Sequence, residues 1–501
     1  MTDVPVPDRE LLPRLRADLE PFTVDAVHDL LGEVAAGALR RDQAAPARRA
    51  LRTARGPVAV LARLFLLGEP VPTRDLDAAV PATGAAGAAA LGLVESSGGE
   101  VRARVDLRPY EATDAAGQGR WWLASDLGQV ATGGALRTDH VLGVGGASTT
   151  LAQLTVRREV GRVLDLGTGC GVQALHALRH AGSVTATDVS PRALAFARFN
   201  AALAGERVDV RHGSLLEPVV GERFDLVVSN PPFVITPRTP GVPAYAYRDG
   251  GLVGDDLVRR VVTSVGDVLA PGGVAQLLGN WEHRRDEPWE QRVERWVDDS
   301  GLDAWVVQRE VSDPAEYAET WVRDGGEPPG PRFDGLVEAW LADFATRRVE
   351  AVGFGYVCLR RPVDGPPSLR RVEEHLGAVH QPLGLHVAAV LEVHDLLSRL
   401  DDTALLATRW RVAPDVTEER HHVPGEASPS VVLLRQNSGL GRVVDAGPVL
   451  AATLGACDGE LPLGAIAAAL SSLLDVEEGA VREQVANGVR RLAEDGFVRP
   501  A

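Results

Sequence analysis

The sequence contains no lysine: all 52 basic residues are arginine. This removes amine-based covalent chemistry, Schiff bases included, from consideration. There is a single methionine, while alanine, valine, glycine and arginine are abundant, the pattern of a GC-rich coding sequence. Cysteine is also scarce. The three cysteines, Cys170, Cys358 and Cys457, lie far apart and fit neither a disulfide framework nor a zinc site, which implies a reducing cytoplasm. No apolar run reaches the roughly 18 residues of a membrane span, and Met1–Pro5 lack the basic and apolar regions of a signal peptide. Positive charge is in deficit too, with a formal net charge of −17. A general nucleic-acid binder neutralises phosphates with a basic face, so the balance tilts toward a protein or small-molecule substrate while leaving room for a local arginine patch. At 501 residues the chain exceeds one hydrophobic core, and about two to four domains are expected.

The most informative stretch is Ser229-Asn230-Pro231-Pro232-Phe233. It follows Phe224–Val228, an apolar, β-branched run that reads as a buried strand. Asn230 offers a side-chain carbonyl and Pro231 a backbone carbonyl at a nearly fixed φ, while Phe233 offers a flat face. Together they suit a planar –NH2 group, held by both hydrogens and stacked upon. Upstream, the strand Arg162–Leu166 runs into Gly167-Thr168-Gly169-Cys170-Gly171, and Val172–Ala181 reads as a helix. Glycines at alternate positions permit a tight turn and close approach to a ligand. Val172 stands where a dinucleotide fingerprint has its third glycine. A second strand, Ser183–Thr187, ends at Asp188-Val189, where an acidic side chain suits ribose hydroxyls. Gly213-Ser214-Leu215 follows a third strand, Arg207–Arg211, at the place an adenine would occupy.

D-L-G-T-G-C-G at 165–171, T-D-V-S at 187–190 and S-N-P-P-F at 229–233 resemble a class I methyltransferase dependent on S-adenosylmethionine (SAM), of the HemK type (protein-glutamine N-methyltransferases) and their small-domain relatives that modify RNA bases. Tyr247–Leu257 is similar to the glycine-rich GG-x-x-G-x-x-L stretch of the HemK side. The resemblance covers roughly 138–361. It implies SAM as cofactor, bound by Asp165, Gly167, Thr168, Gly169, Gly171, Asp188, Val189, Ser214, Leu215 and Asn230, with Asn230, Pro231, Pro232 and Phe233 acting on the acceptor. No metal is implied. In similar enzymes the lead-in Asp139–Thr150 closes over the methionine end of the cofactor. Asp249–Asp256 reads equally well as part of the site or as a loop with Asp255 favouring a helix N-terminus.

The expected architecture is α/β: a Rossmann-like seven-stranded class I methyltransferase sheet at 111–361, with an insertion at 312–346 carrying two helices. It is flanked by a helical, winged-helix-like domain at 1–110 and a winged-helix-like domain at 368–501. In the first of these, Glu100–Leu107 alternates as one strand, and the helix Gly84–Leu93 carries no arginine to read DNA. Leu107–Tyr110 and Gly119–Leu123 pair as a hairpin, with Trp121 and Trp122 on opposite faces. Trp281, His283 and Trp289 read as packing residues. His421-His422 has no further ligand at metal spacing.

Three functions are consistent with these features. The first is N-methylation of a glutamine in a protein, such as a translation factor. The second is N-methylation of an adenine or guanine in RNA or DNA. The third is a SAM-binding regulator acting through its two ends. Charge and the Gly250-Gly251 stretch favour the first, and intact Asn230 and Phe233 oppose the third.

Overall fold

The computed structural model describes residues 4–114, 116–134 and 136–501, in two compact units: 1–152 with 158–374, and 153–157 with 375–501. In the first unit the central sheet consists of β1 (Val160–Leu166), β2 (Ala181–Asp188), β3 (Asp209–His212), β4 (Phe224–Ser229), β5 (Leu269–Arg284), β6 (Asp303–Ser312), β7 (Val349–Arg360) and β8 (Arg370–Glu374). Their spatial order is 3-2-1-4-5-7-6-8. Neighbours are parallel except at β7, which runs antiparallel to both β5 and β6. Apolar residues of the inner strands, including Leu164, Val227, Leu277 and Val306, are fully buried, as parallel strands covered on both faces require. The first four strands end level: Leu166 pairs with both Thr187 and Ser229, and Asp188 with His212.

The sheet has eight strands, not seven. β8 lies in what the sequence suggested was the start of the next domain. Its R-R-V-E-E sequence lacks a buried-strand signature because it is an edge strand, where charge is tolerated. Trp305 Nε1 donates to Glu373 at 2.6 Å and Gln308 Nε2 to Glu374 at 2.8 Å, fixing it to β6.

Six helices matter for the site: α1 (Val172–Leu178), α2 (Pro191–Ala204), α3 (Asp256–Ser264), α4 (Trp289–Ser300), and the insertion pair α5 (Pro314–Asp324) and α6 (Pro331–Thr346). The first hundred residues share one core with this framework. Leu15, Leu19 and Phe22 cluster with Phe196, Phe199 and Leu203 of α2, and Arg16 Nε donates to the Leu203 carbonyl at 2.9 Å at the end of that helix. Helix Pro57–Leu61, strand Val71–Pro72, helices Thr73–Ala79 and Gly84–Ala90, and hairpin Val94–Ser97/Glu100–Ala103 follow in order, with the last strand in the middle of the sheet. The alternating stretch 100–107 is not one strand. It breaks at 104–105 and resumes at Asp106–Asp114, paired with Gly117–Ser125. The alternation persists through the bend because each half buries a face against a different partner. Tyr110 lies opposite Trp121 and Pro109 opposite Trp122 in this hairpin.

The second unit has its own core around Trp410, Leu463, Val485, Val489 and Phe497. Helices Pro448–Gly455, Leu463–Leu474 and Glu478–Glu494 accompany a three-stranded sheet whose central strand, Arg409–Val412, comes from earlier in the chain. A separate antiparallel sheet joins Val416–His421, Val431–Gln436 and Val443–Asp445. Among the described residues no helix is long and apolar enough to cross a membrane.

Candidate active site

The glycine loop leaves β1 with positive φ at Gly167, Gly169 and Gly171 (73°, 55° and 87°), a conformation that glycine alone adopts without strain. The three glycines do different work. A Cβ on Gly167 or Gly169 would meet no atom within 4 Å, so these two border open space. A Cβ on Gly171 would stand 3.1 Å from the Ala197 backbone, so this glycine lets α1 pack against α2. Beneath the loop, Asp165 is 1% exposed. It accepts from Thr168 Oγ1 at 2.6 Å and from Ala174 N at 3.0 Å. Asn200 of α2 accepts from Ala124 N at 2.8 Å and donates to the carbonyls of Ala124 and Cys170, tying the loop to the hairpin.

Burial pushes the Asp165 carboxyl up to about 7, against the lowering effect of the Thr168 and Ala174 hydrogen bonds. The folded state then holds a proton that the unfolded chain releases between about pH 4 and pH 7, so stability falls as pH rises through that window and levels off above it. Asp165→Asn should remove this slope. Thermal unfolding of both proteins at several pH values should show wild type gaining on the variant as pH drops from neutrality toward about 5, by at most ~1.4 kcal/mol per pH unit.

Asp188, at the end of β2, accepts from Gly169 N at 3.0 Å and Ser190 N at 2.8 Å, joining the two strand ends. A carboxylate has about four lone-pair sites in all, more than its backbone donors here occupy. Burial raises its pKa, and the backbone hydrogen bonds counter that. Val189 is 54% exposed, and its carbonyl accepts from His212 Nε2 at 3.0 Å. Ser214 is exposed, and Leu215 has a φ of +48° and packs on the core below. The predicted cofactor residues therefore line the carboxyl ends of β1, β2, β3 and β4, four adjacent strands spanning roughly 14 Å. This ledge of open-faced glycines with the acidic side chain of Asp188 at its edge fits an elongated ligand carrying hydroxyls, as SAM is.

The N-P-P-F segment leaves β4 beside this ledge. Ser229 Oγ donates to the Leu166 carbonyl at 2.7 Å, pinning the two strand ends together. Asn230 Oδ1 is buried and has no hydrogen-bond partner among the described residues. The Pro231 carbonyl accepts from Phe233 N at 2.7 Å in a tight turn and retains a second lone pair. The half-buried Phe233 ring meets Phe354 edge-on, with centroids 5.8 Å apart. A buried amide oxygen without a donor costs on the order of 1–3 kcal/mol.

The insertion helices, to which sequence reasoning assigned no role, support this segment. Tyr317 of α5 is fully buried, and its hydroxyl accepts from Ile235 N at 3.0 Å and from Asn280 Nδ2 at 2.9 Å. Val234 N donates to the Arg248 carbonyl at 2.7 Å. Arg248 Nη1 in turn donates to the Trp321 carbonyl at 2.7 Å and to Asp324 at 2.6 Å. Tyr317, Asn280 and Asn200 were missed as supporting residues because each acts through tertiary contacts with no local motif, and Arg248, though within the Tyr247–Leu257 stretch, acts through contacts to α5 that the stretch does not encode.

The Asp249–Asp256 stretch has a structural role. Asp249 pairs with Arg238 and accepts from Gly251 N at 2.9 Å. Asp255 precedes α3 without capping it. It accepts from Glu282 N at 2.9 Å and from Arg292 at 3.0 and 2.5 Å. His283 shares Gln308 Oε1 with Trp281 and stacks on Trp289 at 5.7 Å, as the packing expectation held. In the lead-in, the Ser148 carbonyl accepts from Gln173 Nε2 of α1 at 2.7 Å, and Val141 N donates to Asp126 at 2.8 Å. All three cysteines are buried and unpaired, and no group of metal-ligating side chains exists among the described residues.

Comparison with known proteins points the same way. A family model described as methyltransferase small domain matches residues 143–242, and one described as a domain of unknown function, DUF7059, matches residues 20–104. A ribosomal protein uL3 glutamine methyltransferase of Bradyrhizobium diazoefficiens is 34% identical over 33% of this chain and 54% of its own. A release factor glutamine methyltransferase of Deinococcus radiodurans is 42% identical over 24% of this chain and 46% of its own. A ribosomal RNA small subunit methyltransferase C of Alcanivorax borkumensis is 32% identical over 28% and 36%. The chain thus spans about half, or less, of the length of these curated relatives. With its motifs at the ends of adjacent strands and these matches, the central region of the chain is similar to the methyltransferase small domain and to the glutamine methyltransferases that carry it.

Proposed function

We propose that the protein is a SAM-dependent N-methyltransferase whose acceptor is the side-chain amide of a protein glutamine. The observation that carries this reading is the buried, unpartnered Oδ1 of Asn230 at the mouth of the strand-end ledge. Bound SAM supplies a methyl group on a sulfonium. Gly167 and Gly169 would give it room, Gly171 would hold the loop against α2, Asp188 would accept from its ribose hydroxyls, and Ser214 and Leu215 would flank its adenine. Asn230 Oδ1 and the Pro231 carbonyl accept the two amide hydrogens of the glutamine. These bonds turn the nitrogen lone pair away from conjugation and aim it at the donor, while Phe233 packs on the amide plane and Pro232 stiffens the turn. Positioning and fixed dipoles supply the rate enhancement. The amide proton leaves after attack, so no side-chain base is assigned; His283 is engaged with Gln308 and Trp289. The buried, unpaired thiols suit a cytoplasmic setting.

The similarity to an RNA methyltransferase supports a second reading, an exocyclic base amine, which presents the same planar –NH2. Labelled methyl from SAM, transferred by the protein into a cell extract and followed by separate protease and nuclease digestion, distinguishes the two. The expected result is label lost to protease and resistant to nuclease. Label lost only to nuclease would assign the substrate to nucleic acid. SAM binding without any transfer would point to a regulator.

A further inference from the structure

The insertion helices and the loop after the N-P-P-F segment line a small pocket that opens to solvent. Val242, Val322, Leu336 and Trp340 give it an apolar lining, and Arg248 contributes the polar wall. At its rim Glu327 and Arg332 neutralise each other at 3.2 Å. Arg248 is only 5% exposed. Its Nη1 is engaged by Trp321 and Asp324, but its Nε–H is buried with no hydrogen-bond partner. The guanidinium also lies 4.6 Å from the centre of the Tyr245 ring, and a buried N–H without an acceptor is a rare exception among buried polar groups. The pocket is also tied to the acceptor segment: the Arg248 carbonyl accepts from Val234 N at 2.7 Å. Val234 stands four residues after Asn230, at most about 14 Å away along an extended chain.

We propose that this pocket anchors the substrate. It takes one aliphatic side chain of the peptide that presents its glutamine to Asn230, and the peptide carbonyl of that residue accepts from Arg248 Nε–H. The inference rests on the glutamine reading above and adds to it a sequence requirement: an apolar residue within about six positions of the glutamine, the reach of an extended peptide over this distance. The paired rim charges favour no acidic or basic residue there.

The test uses the full chain and capped Gly/Ser peptides with one glutamine and one leucine, the leucine moved in single steps along either side, each matched to an alanine control. Transfer of labelled methyl is expected to show one preferred spacing, with kcat/KM about tenfold above the alanine control, in keeping with burial of one aliphatic side chain. Filling the pocket by Leu336→Trp, or independently by Val242→Trp, should bring the leucine-to-alanine ratio within about twofold of unity. Because the ratio is internal to each variant, a general loss of folding would lower both peptides alike. Transfer to all peptides with no preferred spacing, or a preference that survives both filled variants, would overturn the anchor and leave the glutamine reading intact. Absence of transfer to every glutamine peptide would overturn both.

Discussion

Asn230→Ala is expected to abolish methyl transfer, by about a thousandfold or more, while SAM affinity stays within about twofold of wild type. The magnitude follows from what the side chain does. Its Oδ1 is buried, unpartnered and held at the end of β4, where Ser229 locks that strand end to β1 through the Leu166 carbonyl. Removing one preorganised acceptor leaves the amide without the bond that fixes its plane and its lone pair. The fold should not suffer, because Asn230 Oδ1 makes no internal hydrogen bond to lose, and deleting an unsatisfied buried group is neutral or slightly favourable. Measuring SAM binding by calorimetry beside single-turnover transfer separates the two effects. Unchanged transfer would mean that the acceptor is held elsewhere.

Asp255→Ala should do the opposite: lower stability by about 3 kcal/mol and leave transfer per folded molecule within about threefold. The Asp255 and Arg292 side chains are both largely buried, 1% and 11% exposed. The carboxylate accepts from Arg292 and from Glu282 N, and Glu282 itself pairs with Arg284 and Arg347. Without Asp255, the Arg292 charge stays largely out of water, left with the longer contact to Glu287 at 3.3 Å and the Trp296 ring 5.3 Å away. No bond of Asp255 reaches the glycine loop or Asn230, so the chemistry should not depend on it. Denaturant unfolding alongside transfer assays on the soluble fraction tests this; a large loss of turnover at unchanged stability would return Asp255 to the site.

These two residues also mark what the sequence made legible. Asn230 could be found because its motif is local: a strand, a polar residue and two prolines leave few conformations, and the glycine loop and Asp188 punctuate neighbouring strands in the same way. Asp255 sits in an equally suggestive glycine-rich stretch, yet its partners, Glu282 and Arg292, lie 27 and 37 residues away, and no local pattern encodes that pairing. The same holds for Tyr317. Its aromatic position in an amphipathic helix reads as ordinary core, and only the fold brings its hydroxyl to Ile235 and Asn280. β8 escaped notice because charged edge strands lack the alternation that marks buried ones. The split of 100–107 escaped because alternation reports which face is buried and not which strand covers it.

The central claim concerns the nitrogen that receives the methyl group. An N-methyl amide of glutamine releases methylamine on acid hydrolysis, whereas an N-methylated base keeps its methyl group on the ring's exocyclic amine. The whole extract labelled by the wild-type enzyme should therefore be hydrolysed in strong acid, the volatile amine collected and the bases recovered. The account predicts that most of the label appears as methylamine, with none from the Asn230→Ala enzyme. Label recovered as a methylated adenine or guanine, with no methylamine, would contradict it.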